Sequence, residues 1–233
     1  MLTSIEGRVI AIAGAAGGLG PTVARRLARG GATLCLAGRD RSKLEALAAE
    51  LGTSVEIEAL DLLDQEAARA WADGTVARHG RVDGVCHLVG GWRGGKPVEE
   101  QPAEDWQWLE GLLVRTLQNV SRAFARHLMA SGRGRFLIVS SGQAQAPTSA
   151  NASYAAAKAA AEAWTLALAD RFRGTGATAN IVVVGAIVTP EMRAERPGEA
   201  FAGYTPAEEI AEAIAYLSSD AAASMNGRRL VLR

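Results

Sequence analysis

The stretch Arg8–Gly20, RVIAIAGAAGGLG, constrains the fold of this chain more than any other. Its first half is short and continuously apolar, which suits a strand buried on both faces of a parallel sheet. It runs straight into Gly14, Gly17, Gly18, Leu19 and Gly20. A helical segment follows from about Pro21 to Arg29, with Val23, Ala24 and Leu27 on its apolar face. Proline suits that first turn, where its missing N–H costs little. Glycines between a strand and a helix permit a tight turn and let backbone N–H groups approach a pyrophosphate. The helix N-terminus adds positive potential there. The alternative is a tight turn that holds nothing.

The same alternation continues. Thr33–Ala37 reads as a second strand, closed by Gly38-Arg39-Asp40, and Arg41–Leu51 as an amphipathic helix. Ser54–Leu60 reads as a third strand ending at Asp61 and Leu62, Asp64–His79 as a helix, and Val82–Val89 as a fourth strand. A glycine-rich loop with Trp92 precedes a long helical region over Ala103–Ser131. Arg135–Ser140 is the fifth strand, and an alanine-rich helix reaches about Arg173. Thr178–Val184 is the sixth strand, Ile187–Tyr204 is irregular, Thr205–Ser219 is a helix opening on a capping box, and Arg228–Leu232 is the seventh strand. This pattern predicts one α/β domain over 1–233, a doubly wound parallel sheet (Rossmann fold) of about seven strands with helices on both faces. Ligands of such sheets bind at the carboxyl ends of the strands, where the glycine-rich and polar punctuation falls.

The totals narrow the function. The 233 residues, 48% hydrophobic, suffice for one substantial core. Lys+Arg and Asp+Glu balance at 25 each, so no broad basic field argues for nucleic acid. Cys35 and Cys86 sit in apolar runs and suggest neither a disulfide framework nor a zinc site, so no metal is expected. No apolar run approaches the ~20 residues that span a bilayer, and the amino-terminal residues carry no targeting pattern. A cytoplasmic protein without membrane or nucleic-acid partners is expected.

Tyr154 and Lys158 stand one helical turn apart in the alanine-rich helix, so both side chains share a face. An ammonium beside a phenol favours the phenolate, so the Tyr154 pKa is expected to fall and the phenol to serve as acid or base. Ser141, at the end of the fifth strand, is placed to hold a substrate oxygen near that phenol. Chance spacing is the competing explanation for the Tyr/Lys pair taken alone. At the end of the second strand stands Arg39, with no acid before Asp40. A guanidinium suits a 2′-phosphate, so NADP(H) is favoured over NAD(H). Alternatively, Arg39 is a solvated charge or pairs with Asp40.

These parts together resemble the short-chain dehydrogenase/reductase family over nearly the whole chain. The likeness rests on Ala13–Gly20, Asp61-Leu62, the strand VDGVCHLVGG, Ser141, Tyr154-x3-Lys158, and the Asn180–Pro190 segment. The resemblance implies that Gly14, Gly18 and Gly20 shape a pyrophosphate loop, that Asp61 faces the adenine, and that Gly90 lies near the nicotinamide ribose. It implies Ser141, Tyr154 and Lys158 as the catalytic set, and Ile187 and Thr189 against the carboxamide. The implied activity is hydride transfer between the dinucleotide and a small carbonyl or alcohol substrate. A homo-oligomer is implied too, a tetramer before a dimer.

Departures from the family pattern accompany the likeness. Leu113 stands where a fourth catalytic residue, Asn, is usual, which puts a water relay from Lys158 in doubt. Asn119 lies on a different helical face. His87 replaces an Asn at the end of the fourth strand and reads as a core histidine. The segment Cys86–Gly95 is similar to dihydropteridine reductases, so reduction of a quinonoid pterin is an alternative. A weakly catalytic dinucleotide sensor or scaffold is another. Trp92 reads either as a cover for a flat ligand or as a loop anchor. Met192, Phe201 and Tyr204 read as a substrate lid or a surface loop.

Overall fold

The computed structural model describes residues 5–52 and 54–232. Residues 1–4, which include the start of the stretch read for a targeting pattern, lie outside them.

Strand β1 (Val9–Ala13) leads through the glycine turn into helix α1 (Gly20–Arg29). Then come β2 (Thr33–Gly38), α2 (Arg41–Leu51), β3 (Val55–Ala59), α3 (Gln65–His79) and β4 (Gly84–His87). Caps set the helix starts: Asp40 accepts from Lys43 N, and Asp64 accepts from Glu66 N and Ala67 N. The second half contains α4 (Ala103–Leu109), α5 (Thr116–Ala130), β5 (Arg135–Ser141), α6 (Ala152–Arg171) and β6 (Thr178–Val184). It continues with β7 (Ala186–Val188), α7 (Pro190–Glu195), β8 (Tyr204–Pro206), α8 (Ala207–Leu217) and β9 (Arg229–Val231).

The main sheet has seven strands in the order β3-β2-β1-β4-β5-β6-β9, every pair parallel, which is the doubly wound fold expected. Alternate residues of β1 explain its unbroken apolarity. Val9, Ala11 and Ala13 face a core layer built with α3, α5 and α6, where Trp71 meets Phe124 edge-on at 4.8 Å. Ile10 and Ile12 face the opposite layer, formed with α1, α2 and α8. Each isoleucine so buried contributes about 1.5–3 kcal/mol. At the amino ends of the strands, buried Asp83 accepts from Arg81, Ser131 and Arg133, and Arg8 pairs with Asp220. The carboxyl ends stay open.

Three local expectations are corrected. The long helix over 103–131 is interrupted by a π-helical turn at Glu110–Arg115, which keeps an apolar face on α6 and so leaves the sequence pattern unbroken. The segment 187–204 is not irregular throughout: β7 pairs with β8 in a second, two-stranded sheet, with α7 between them. Thr205 does not cap α8. It sits in β8 opposite Ile187, its hydroxyl accepts from Gly185 N, and Pro206 takes the cap position with no side-chain bond.

Candidate active site

The carboxyl ends of the strands open onto one cavity of about 1960 Å³. Its floor begins at the glycine turn. Gly14 has φ +82°, and a Cβ there would stand 2.9 Å from Val89 N, so only glycine lets the ends of β1 and β4 approach this closely. Gly14, Gly17, Gly18 and Leu19 line the cavity. Gly20 is not part of its wall. A Cβ there would fall 2.2 Å from Ala15 O, so its lack of a side chain seats α1 on the turn. The bare backbone and the open strand ends fit the elongated, anionic shape of a dinucleotide.

At one side, Arg39, Asp61 and Leu62 line the cavity. Among the described residues Arg39 forms no ion pair. Asp40 does not engage it. Its Oδ1 accepts from Ser42 Oγ at 2.8 Å and from Lys43 N at 3.1 Å, which hold its carboxyl below the usual value. Asp61 Oδ1 accepts from Leu63 N at 2.9 Å. Asn119, on a different helical face from Leu113, donates to the carbonyls of Leu62 and Leu63 and so fixes this wall.

Ser141, Tyr154 and Lys158 line the other side, together with Gly90 and Ile187. Ser141 ends β5, and Tyr154 and Lys158 project from the first turns of α6. Thr189 is not in the wall: its hydroxyl accepts from Met192 N and caps α7. Lys158 is buried, donates to Val139 O at 2.9 Å and lies 5.8 Å from the centre of the Tyr154 ring. Burial pushes its pKa down to about 8, and the charge of Glu162 opposes that.

The Tyr154 phenol departs from expectation. Burial pushes its pKa up, a hydrogen bond with Ser141 acts the other way, and Lys158 is not among the groups that move it. Half-burial costs the phenolate its hydration, while the lysine directs a proton to a backbone carbonyl instead. His87 is a buried core histidine. Thr116 Oγ1 donates to Leu112 O at 2.7 Å, so at 3.1 Å it accepts from His87 Nε2–H. Burial, then the Lys158 charge, push the His87 pKa down to about 3, so the ring stays neutral. Leu113 packs in an apolar cluster with Leu109, Ala157 and Tyr154.

Trp92 is exposed, and with Trp108 and Tyr204 it lines the cavity mouth, where the Arg93 guanidinium stacks 4.4 Å over Trp108. Phe201 is buried against Tyr204 at 5.5 Å, so the post-β6 segment is anchored and not a free loop. Thr116 and Arg115 also line the cavity and carried no motif by which sequence reasoning finds them. Elsewhere, towards the amino ends of β2 and β3, Cys35, Glu56 and His79 come within 4.8 Å of one another, with Arg78 bonded to Glu56 at 2.6 Å. Among the described residues no helix is long and apolar enough to cross a membrane.

Comparison with known proteins agrees with this geometry. A family model described as enoyl-(acyl carrier protein) reductase matches residues 14–232. Gluconate 5-dehydrogenase of Gluconobacter oxydans (strain 621H) is 30% identical, covering 99% of this chain and 95% of that one. A short-chain type dehydrogenase/reductase from Mycobacterium ulcerans superposes with a TM-score of 0.90 at 25% identity, covering 98% of this chain and 89% of that one. The 3-ketoacyl-(acyl-carrier-protein) reductase from Brucella melitensis, solved with NADH, gives 0.88 at 26%, covering 98% of each. Together with the strand order, the glycine turn and the Ser/Tyr/Lys cavity, these matches place the chain: it belongs to the short-chain dehydrogenase/reductase family of NAD(P)-dependent oxidoreductases.

Proposed function

We propose that the protein interconverts a carbonyl and an alcohol on a small molecule, with NADP(H) as its dinucleotide and Tyr154 as the acid and base. One arrangement carries this reading: Ser141, Tyr154 and Lys158 open into the same cavity as the glycine turn. The dinucleotide, when bound, supplies or accepts the hydride. The chain does the rest. The N–H groups of Gly18 and Leu19 hold the pyrophosphate, while Gly14 N donates to Ala37 O and Gly17 N to Gly14 O and so set the turn. The Ser141 hydroxyl and Tyr154 phenol hold the substrate oxygen, and Tyr154 gives it a proton in reduction and takes one in oxidation. Lys158 binds the ribose and supplies positive charge beside the phenol. Burial raises the Tyr154 pKa, so the phenol holds the proton that a forming alkoxide, a far stronger base, would take. Arg39, which lines the cavity wall and forms no ion pair among the described residues, is the group suited to a 2′-phosphate, while the Asp40 carboxylate is engaged by its own helix start.

The indoles of Trp92 and Trp108 at the mouth favour a second reading, a flat ring such as a quinonoid pterin as substrate. A turnover screen with NADPH and NADH against ketones, aldehydes and a quinonoid pterin decides between them. Reduction of a carbonyl with NADPH supports the first reading, and reduction of the pterin alone supports the second. Tight dinucleotide binding with no turnover on any of them would point to a sensor.

A further inference from the structure

Glu162 lies one helical turn beyond Lys158 on α6, is 2% exposed, and does not line the cavity. Its carboxylate joins four elements. Oε1 accepts from Ser140 Oγ at 2.6 Å, at the end of β5. Oε2 accepts from Gln145 Nε2 at 3.2 Å, in the loop after β5, and from Arg229 Nε at 2.6 Å, on β9. Ser140 sits between Val139, whose carbonyl accepts from Lys158, and Ser141 of the active site. A buried carboxylate with this many donors holds its neighbours in one geometry, and its charge reaches Lys158 through a medium that screens little.

We propose that Glu162 is the positioning residue of the active-site lysine. It clamps the β5 segment to which Lys158 donates and keeps the ammonium charged, and Arg229 on the carboxyl-terminal strand sets how much of that negative charge Lys158 feels. The charged and titratable groups facing Lys158 are Tyr154 and Glu162 on its own helix, His87 on β4 and, through Glu162, Arg229 on β9. His87 is neutral at working pH, so the Glu162–Arg229 pair is the adjustable part of this field. The inference rests on the reading of Lys158 as part of the active site.

The chain has three lysines, Lys43, Lys96 and Lys158, so the carbon-13 shift of each lysine Cε can be followed against pH in labelled protein. Glu162→Gln keeps the shape of the side chain and removes its charge. Lys158 should then titrate lower by about one pH unit, the size of effect a neighbouring charge exerts. Arg229→Gln removes the opposing charge from a side chain 37% exposed, which protects folding, and Lys158 should titrate higher. Opposite shifts are what a merely structural role does not produce. Unmoved midpoints, or shifts of the same sign, would overturn the inference; if Glu162→Gln fails to fold, an unmoved midpoint in Arg229→Gln alone does so. The site reading fails separately, if Tyr154→Phe turns over substrate at the wild-type rate.

Discussion

Lys158 Nζ donates to the carbonyl of Val139 at 2.9 Å and so is anchored to the strand that carries Ser141, not to the Tyr154 phenol on its own helix. Sequence spacing alone pairs the lysine with the tyrosine. Tertiary packing gives it a backbone partner and buries it. The ammonium is thereby held at a fixed place in the cavity wall, beside a phenol that burial keeps protonated.

Removing the Tyr154 hydroxyl tests the chemistry most directly. Tyr154→Phe should lower turnover by about 10²–10⁴-fold, the usual contribution of a positioned acid or base. Dinucleotide affinity, measured by fluorescence titration, should change little. Wild-type turnover in that variant would sink the assignment.

The proposed preference for NADP(H) rests on Arg39. Charge-assisted hydrogen bonds contribute about 1.5–3 kcal/mol each, so Arg39→Ala should weaken NADPH roughly ten- to a hundredfold. NADH, which lacks the 2′-phosphate, should bind nearly as before. Equal losses for both, read from paired titrations, would remove Arg39 from the site.

Burial of Lys158 predicts a stability cost with a defined pH dependence. Its pKa falls from 10.5 to about 8 on folding, so the folded state disfavours the charged form. Below pH 8 both states hold the proton and the cost is fully present; between about pH 8 and 10.5 the folded state releases it first and the cost fades. The shift corresponds to about 3 kcal/mol at neutral pH. Lys158→Met should therefore be more stable than wild type at pH 7 in urea unfolding, by less than that figure because the Val139 carbonyl loses its donor. The advantage should shrink steadily by pH 10. A constant gap across that range would contradict the assignment.

Leu113 occupies the family's usual Asn position, yet its side chain is 3% exposed and packed among Leu109, Ala157 and Tyr154. Leu113→Asn places an amide in that cluster without a partner. It should cost about 1–3 kcal/mol of stability and bring no gain in rate. A faster enzyme would show that a relay through this position was missing after all.

Much of the fold was legible because its signals are local. The apolar runs at Val9–Ala13 and Thr178–Val184, the glycine turn and the acid-capped α3 each announce themselves within a few residues. Helix α6 did so by composition. The π-helical turn at Glu110–Arg115 was hidden because it preserves the apolar face while changing only the hydrogen-bond step. The β7–β8 pair was hidden because its strands are short and separated by α7. Of the candidate site, Gly14, Arg39, Ser141, Tyr154 and Lys158 are singled out by local pattern, and all five line the cavity. Gly20 and Thr189 lie beside the cavity in supporting roles, and Glu162, Asn119 and Thr116 carried no motif.

The amino-acid sequence by itself determined the alternation of strand and helix, the glycine turn after β1, and the presence of Ser141, Tyr154 and Lys158 at family-like spacing. Periodicity, propensity and backbone freedom act over a few residues and are written directly in the chain. Only the tertiary structure decided the electrostatics. It half-buried Tyr154 so that its pKa rises, turned Lys158 to Val139, and set Glu162 between Ser140 and Arg229. Those outcomes depend on desolvation and on partners up to 67 residues apart in the chain, which no local pattern encodes.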